Sequence, residues 1–231
     1  MTAINEFVIR PATQDVDIFK EVYLHDEYGV ADWVRPGDRI IDIGAHIGCF
    51  ALKCAEHGAG LIHCYEPHYG NRRVLNNNAV IIPSETSVIG LAIAAPHCKF
   101  ALMVNAKPTH TACHRAAADN SGPPYGPAAS TRVMCSSLSS AVSRMLGKIR
   151  LLKIDCEGSE FDAIKDPDVE WSRVDRVVME IHEIRRHEDK VAALLSNDWF
   201  STHFRSLGFD VVIKDHPVCP GDLWLLDARK T

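Results

Sequence analysis

Apolar residues fall into short continuous runs separated by stretches with helical spacing, a pattern of strands buried on both faces alternating with amphipathic helices. The run Arg39-Ile-Ile-Asp-Ile43 follows the turn Arg35-Pro-Gly-Asp38 and predicts a buried strand ending at glycine. Residues 46–57 carry Ile47, Phe50, Ala51, Cys54 and Ala55 at helical spacing, and Leu61-Ile-His-Cys-Tyr65 predicts the next strand. A helix over 71–77 and a strand over 87–93 follow. Further strands are predicted at 100–104, 132–138, 149–154 and 174–181, with helices over 139–146, 159–164 and 191–204. Residues 209–214 and 223–227 close the chain as two strands with no helix between them, hence an antiparallel pair. Ahead of the first strand, Thr13 or Asp15 is placed to cap a helix through Tyr23. The order predicts an α/β fold with a mostly parallel sheet covered on both faces. Residues 105–130 break the pattern, being rich in alanine, proline, serine, threonine and glycine with no clear period. A stretch beyond about 15 residues of that kind reads as either a functional lid or a disordered segment.

Composition narrows the class without choosing a function. The chain has 231 residues, 46% hydrophobic and 24% charged, which excludes overall disorder and fits one domain. A formal charge of −5 argues against a nucleic-acid binder relying on bulk charge. No basic segment with a long apolar run opens the chain, and no apolar stretch reaches about 18 residues, so neither secretion nor membrane spanning is expected. The eight cysteines show no Cys-x-x-Cys spacing, and the expectation is reduced thiols in a cytoplasmic protein. Oligomeric state is not legible.

Three strand ends carry candidate chemistry. Ile40-Ile-Asp-Ile-Gly-Ala-His-Ile-Gly48 places Asp42 and Gly44 where a strand turns into a helix, the first ligand-holding turn of a doubly wound sheet. Its glycines are spaced Gly-x-x-x-Gly, so the pyrophosphate fingerprint is missing, and Asp42 there suits an ammonium group better than a pyrophosphate. Glu66 ends the second strand, where a carboxylate can accept both hydroxyls of a ribose. Leu151-Leu-Lys-Ile-Asp-Cys-Glu-Gly-Ser-Glu160 ends a third strand with Asp155 and Glu157 expected in the same crevice. Glu160 and Asp162 fall in a first helical turn, where negative charge is favoured for structural reasons.

These blocks, together with Arg10-Pro-Ala-Thr, Asp17-Ile-Phe, Glu27-Tyr, Tyr65-Glu-Pro and Val178-Met-Glu, resemble the FkbM family of S-adenosylmethionine-dependent methyltransferases over residues 7–227. Lys153-Ile-Asp-Cys-Glu-Gly-Ser-Glu160 is the most specific part; the chain departs at His46, where the family has asparagine. The resemblance implies a Rossmann-like class I methyltransferase fold, a seven-stranded sheet of five parallel strands and a final antiparallel hairpin. It implies S-adenosylmethionine as cofactor. Asp42 and the backbone at Gly44, Ala45, His46 and Gly48 hold its methionine end, Glu66 and Pro67 the ribose, and Leu91, Ala92 and Ile93 the adenine. Asp155 lies near the transferred methyl. The expected activity is O-methylation of a small-molecule or sugar hydroxyl, as in natural-product tailoring; an N- or carboxyl-methyltransferase would carry the same cofactor motifs.

An alcohol acceptor must lose a proton, and Asp155, Glu157, Glu180 and His182 are the candidate bases, with His182 foremost because an unperturbed imidazole titrates near neutrality. His182 and His187 are five residues apart, one too many for a shared helical zinc face. Mg²⁺ held by Asp155, Glu180 and His182 is the weaker alternative, since a mixed imidazole and carboxylate set is atypical for magnesium. Two other classes compete: a nicotinamide-dependent oxidoreductase, disfavoured by the missing third glycine, and a noncatalytic cofactor-binding module.

Overall fold

Three short helices, Ala3–Glu6 (α1), Asp15–Ile18 (α2) and Val30–Trp33 (α3), precede the first strand in the computed structural model, which describes residues 3–105, 114–118, 130–182, 190–220 and 223–230. The second helix widens into a π-helical segment over Phe19–Leu24. Its N-cap position is Gln14, which makes no side-chain cap; the Thr13 hydroxyl, one residue further out, accepts the Asp15 N–H at 3.2 Å. Asp15 is instead drawn into a buried pair with Arg10, whose Nε and Nη2 donate to its carboxylate at 2.8 and 2.9 Å.

Arg39–Ile43 (β1), Leu61–Tyr65 (β2) and Glu85–Ile89 (β3) alternate with Cys49–Glu56 (α4) and Tyr69–Ala79 (α5). The fifth helix starts where the His68 side chain accepts the Asn71 N–H, an N-cap supplied by a histidine. Ala92–Ile93 (β4), Phe100–Asn105 (β5), His114–Ala118 (β6) and Ser130–Ser136 (β7) follow, then Leu138–Arg144 (α6), capped by Ser137, and Leu151–Ile154 (β8). Glu160–Ile164 (α7), a 3-10 turn at Trp171–Arg173, Arg176–His182 (β9), Lys190–Ser206 (α8), Phe209–Asp215 (β10) and Leu223–Lys230 (β11) complete the chain.

Seven strands form the main sheet in the order β10-β11-β9-β8-β1-β2-β3. The five from β9 to β3 are parallel, and β11 runs antiparallel to both β9 and β10, as the helix-free final pair predicts. Strand order reverses between β1 and β8, which opens a crevice at their carboxyl ends. The sheet is buried on both faces. One apolar cluster joins Ile41, Ile43 and Leu152 to Trp171, Phe200 and Phe204; the other joins Ile40, Ile62 and Leu151 to Phe50, Leu52 and Val30.

Two expectations are corrected by the smaller sheet. The single strand over 87–93 divides at Gly90 and Leu91, with β3 in the main sheet and β4 paired to β7. The aperiodic stretch 105–130 contains β6, paired antiparallel to β5, in a four-stranded sheet of order β4-β7-β5-β6. The lid expectation otherwise concerns 106–113 and 119–129, outside the described residues. Cys49, Cys54 and Cys64 are buried, and burial pushes their thiols up, as suits small hydrophobes. Among the described residues no helix is long and apolar enough to cross a membrane.

Candidate active site

At the reversal of strand order the chain leaves β1 through Gly44, whose N–H donates to the Tyr65 carbonyl at 3.0 Å while its neighbour Ala45 donates to the same oxygen. A Cβ on Gly44 would stand 1.6 Å from the Asp155 carbonyl oxygen, so here glycine is required by the close approach of two strand ends. His46 then adopts φ +51° and Gly48 φ +97°, directing the chain into α4. Histidine and asparagine both tolerate the left-handed region better than most residues. The His46 N–H thereby reaches Glu66 Oε2 at 2.9 Å, and the His68 N–H reaches Oε1 at 2.7 Å.

Glu66 thus ends β2 with a fixed carboxylate that is 5% exposed, and burial pushes its pKa up to about 7 against the pull of those two N–H groups. The His46 ring is held from behind by Asp15 (3.3 Å) and Arg10 (3.4 Å), and burial lowers its pKa to about 3, so it is neutral. Arg10 also donates to Asn71 Oδ1 at 2.8 Å. The N-terminal segment therefore locks the turn after β1 against α5.

A cavity of about 760 Å³ opens above these strand ends. Gly44, Ala45, His46, Glu66, Pro67, Leu91, Ala92, Ile93, Asp155, Glu157, Glu180 and His182 all line it. Asp42 and Gly48 do not. Asp42 is fully buried beneath the wall, level with Lys153 in the adjacent strand, and its Oδ1 stands 3.2 Å from Lys153 Nζ. The expected contact between Asp42 and a ligand ammonium is replaced by this internal pair, because the side chain of a strand-interior residue points into the layer rather than past the strand end.

Lys153 is the site residue that sequence reasoning leaves without a role. It is 3% exposed, lines the cavity, and donates to the Gly44 carbonyl at 2.8 Å while facing Asp155 at 3.4 Å. Burial works against its charge, but Asp42 and Asp155 override that and hold its pKa above the ordinary lysine value. One ammonium thus ties β1, β8 and the two following turns together. Its signal in the sequence is a lysine inside an otherwise apolar strand, which demands a buried partner.

The third strand end is the most acidic. Glu157 takes φ +56° and Gly158 φ +97°, turning the chain so that Glu160 Oε1 accepts the N–H groups of Cys156 (2.9 Å) and Gly158 (3.1 Å). The same oxygen stands 3.0 Å from His182 Nδ1, while His182 Nε2 is 3.3 Å from Glu157 Oε2 and 3.7 Å from Glu180 Oε1. Burial works against an imidazolium, yet Glu160 and Glu157 raise the His182 pKa well above its ordinary value. The two carboxylates favour the charged form of the ring, and both of its nitrogens face carboxylate oxygens rather than open cavity. Glu160 is equally more than a helix-terminal charge.

Glu27, from the loop before α3, also lines the cavity. Its position follows from Arg176, which donates to the Tyr28 and Gly29 carbonyls at 2.9 Å each and pairs with Asp227 at 2.7 Å. Burial, reinforced by Asp155, pushes the Glu27 carboxyl up to about 7.

The family model described as the methyltransferase FkbM domain matches residues 42–211. The 31-O-demethyl-FK506 methyltransferase FkbM of Streptomyces tacrolimicus is 29% identical over 86% of this chain and 83% of its own. An rRNA methylase from Streptococcus thermophilus superposes with TM-score 0.54 at 8% identity, covering 90% of this chain and 95% of that one. A Streptococcus mutans protein described as a methyltransferase, solved with SAH, gives TM-score 0.53 at 8% identity over 90% and 97% of the two chains.

Proposed function

The chain belongs to the FkbM methyltransferase family, and from that premise we propose that it moves the methyl group of S-adenosylmethionine to a hydroxyl of a small molecule or sugar. The observation that carries this reading is the buried carboxylate of Glu66, fixed by two backbone N–H groups in the wall of a cavity of small-molecule size. Each oxygen keeps a free lone-pair direction, so the carboxylate can accept both hydroxyls of a ribose. Leu91, Ala92 and Ile93 supply an apolar wall for the adenine, and the backbone of Gly44 to His46 borders the methionine end.

S-adenosylmethionine, when bound, supplies an electrophilic methyl on a sulfonium centre. The chain's part is to hold an acceptor oxygen in line with that carbon and to take up its proton. Asp155 and Glu157 are the proposed proton acceptors: both line the cavity, and burial pushes the Glu157 carboxyl up toward a useful basicity. His182, held between Glu160 and Glu157, orients the Glu157 carboxylate. Asp42 acts through Lys153, as a positioning residue.

The relative named for a 31-O-demethyl substrate supports oxygen as the acceptor atom. The acidic lining, with Asp17, Glu21, Glu27 and Glu180 beside the groups above, supports a neutral or cationic acceptor over a polyanion such as nucleic acid. It also counts against a dinucleotide pyrophosphate, and so against the oxidoreductase reading. The buried, unpaired thiols suit a cytoplasmic setting.

Methyl-labelled cofactor offered to a panel of macrolide and glycoside alcohols tests the acceptor. An alkali-stable methyl ether is the expected product. Label released as methanol by alkali would assign a carboxylate acceptor, and transfer only to amines would overturn the O-methyl reading.

A further inference from the structure

Glu157, Glu160 and Glu180 gather around His182 beyond the ends of β8 and β9. Asp155, Glu157 and His182 each offer one ligand atom, and these atoms all lie within 4.8 Å of one another. His182 Nε2 and Glu157 Oε2 are 3.3 Å apart. Two neighbouring ligands on an octahedral ion with bonds of about 2.1 Å stand about 3.0 Å apart, so this edge is close to the required geometry before any ion enters.

Two further observations point to a ligand. The Nδ1 side of His182 faces Glu160 Oε1 at 3.0 Å, and that oxygen is itself fixed by the Cys156 and Gly158 N–H groups. A buried carboxylate that accepts from one ring nitrogen and turns the other toward a cluster of donors is the support that metal-binding histidines use. Independently, Glu27 lines the same cavity with a side chain only 7% exposed, and its Oε2 has no hydrogen-bond partner. The nearest ring nitrogen, His216 Nε2, is 3.5 Å away. An unpartnered buried carboxylate oxygen in a cavity lined by other carboxylates is costly unless a proton or a cation answers it.

We propose that Asp155, Glu157 and His182 hold a divalent cation at the acceptor end of the cavity, with Glu160 orienting the imidazole and with Glu27 and Glu180 lining the same cavity. The ion takes the place of the Nε2 proton, so the imidazole binds it as a neutral ligand. Two carboxylates and one imidazole favour a first-row ion such as Mn²⁺ over Mg²⁺. This ligand set differs from the one the sequence suggests, with Glu157 in the place of Glu180. As a binding site the inference stands alone; as a device for activating a hydroxyl it rests on the methyltransferase reading, with the carboxylate oxygen of Asp155 or Glu157 that does not bind the ion left to accept the proton.

Titrating Mn²⁺ into the full-chain protein and following the free-ion EPR signal tests it. One equivalent bound is expected, weakened at least tenfold by Glu157→Gln or Asp155→Asn and about tenfold by Glu160→Gln, whereas Asp162→Asn, an exposed acid on the same helix, changes it less than twofold. Absence of binding up to about 1 mM ion, or binding unchanged in Glu157→Gln and His182→Gln, would overturn the site. S-adenosylhomocysteine binding, measured calorimetrically on the same preparations, separates the two readings. Cofactor binding without Mn²⁺ binding sinks only the ion site; Mn²⁺ binding without cofactor binding sinks the methyltransferase mechanism.

Discussion

The Lys153 ammonium answers Asp42, Asp155 and the Gly44 carbonyl from inside the sheet. Lys153→Met should destabilise the fold by about 3–5 kcal/mol, because it leaves the Asp42 carboxylate buried and unpaired; chemical denaturation measures this. Asp42→Asn in the same chain should restore part of the loss, which a purely steric effect of methionine would not allow. Glu66 gives a pH signature. With its pKa near 7, the carboxyl is mostly protonated at pH 6 and mostly ionised at pH 8, and protonation removes an acceptor that the ribose hydroxyls need. S-adenosylhomocysteine should therefore bind about tenfold more tightly at pH 8 than at pH 6, and Glu66→Gln should flatten that dependence. Glu66, Asp155 and Glu157 are legible in the sequence because an acid at a strand end has one place to go. Lys153 and Glu27 are not, since each depends on partners from distant segments, Asp42 in one case and the Arg176 with Asp227 pair in the other.

Elements follow the same division. Strands β1 and β2 stand out as apolar runs because both of their faces are buried, and the final hairpin stands out because too few residues separate its strands for a helix. Hydrophobic period does not say which sheet a strand joins. Thus the run through Ile89 and Ile93 reads as one strand although its two ends pair in different sheets, and β6, with Ala116, Ala117 and Ala118, carries too little alternation to be seen. Element junctions also impose requirements that a motif alone misattributes. Gly44 suits a ligand's approach, but its first demand comes from the Asp155 carbonyl. Gly44→Ala should accordingly cost at least about 4 kcal/mol, lowering the melting temperature by roughly 10 °C even without ligand. A mutant that melts like the parent and loses only cofactor affinity would return the glycine to a binding role.

At the scale of the whole molecule, the modest charge of −5 conceals a strong asymmetry. Carboxylates from the N-terminal segment and from the ends of β2, β8 and β9 converge on one cavity, where Lys153 and His182 partly balance them. The reversal of strand order puts them there, and Arg10 with Asp15 and Arg176 with Asp227 brace the N-terminal segment that closes the side. Such a cavity attracts a sulfonium cofactor and repels a polyphosphate. Calorimetric titration of S-adenosylhomocysteine tests that account most directly. It predicts one site per chain, weakened at least tenfold by Glu66→Ala and unaffected by competing NAD. The absence of binding at high micromolar ligand, or displacement by NAD, would contradict it.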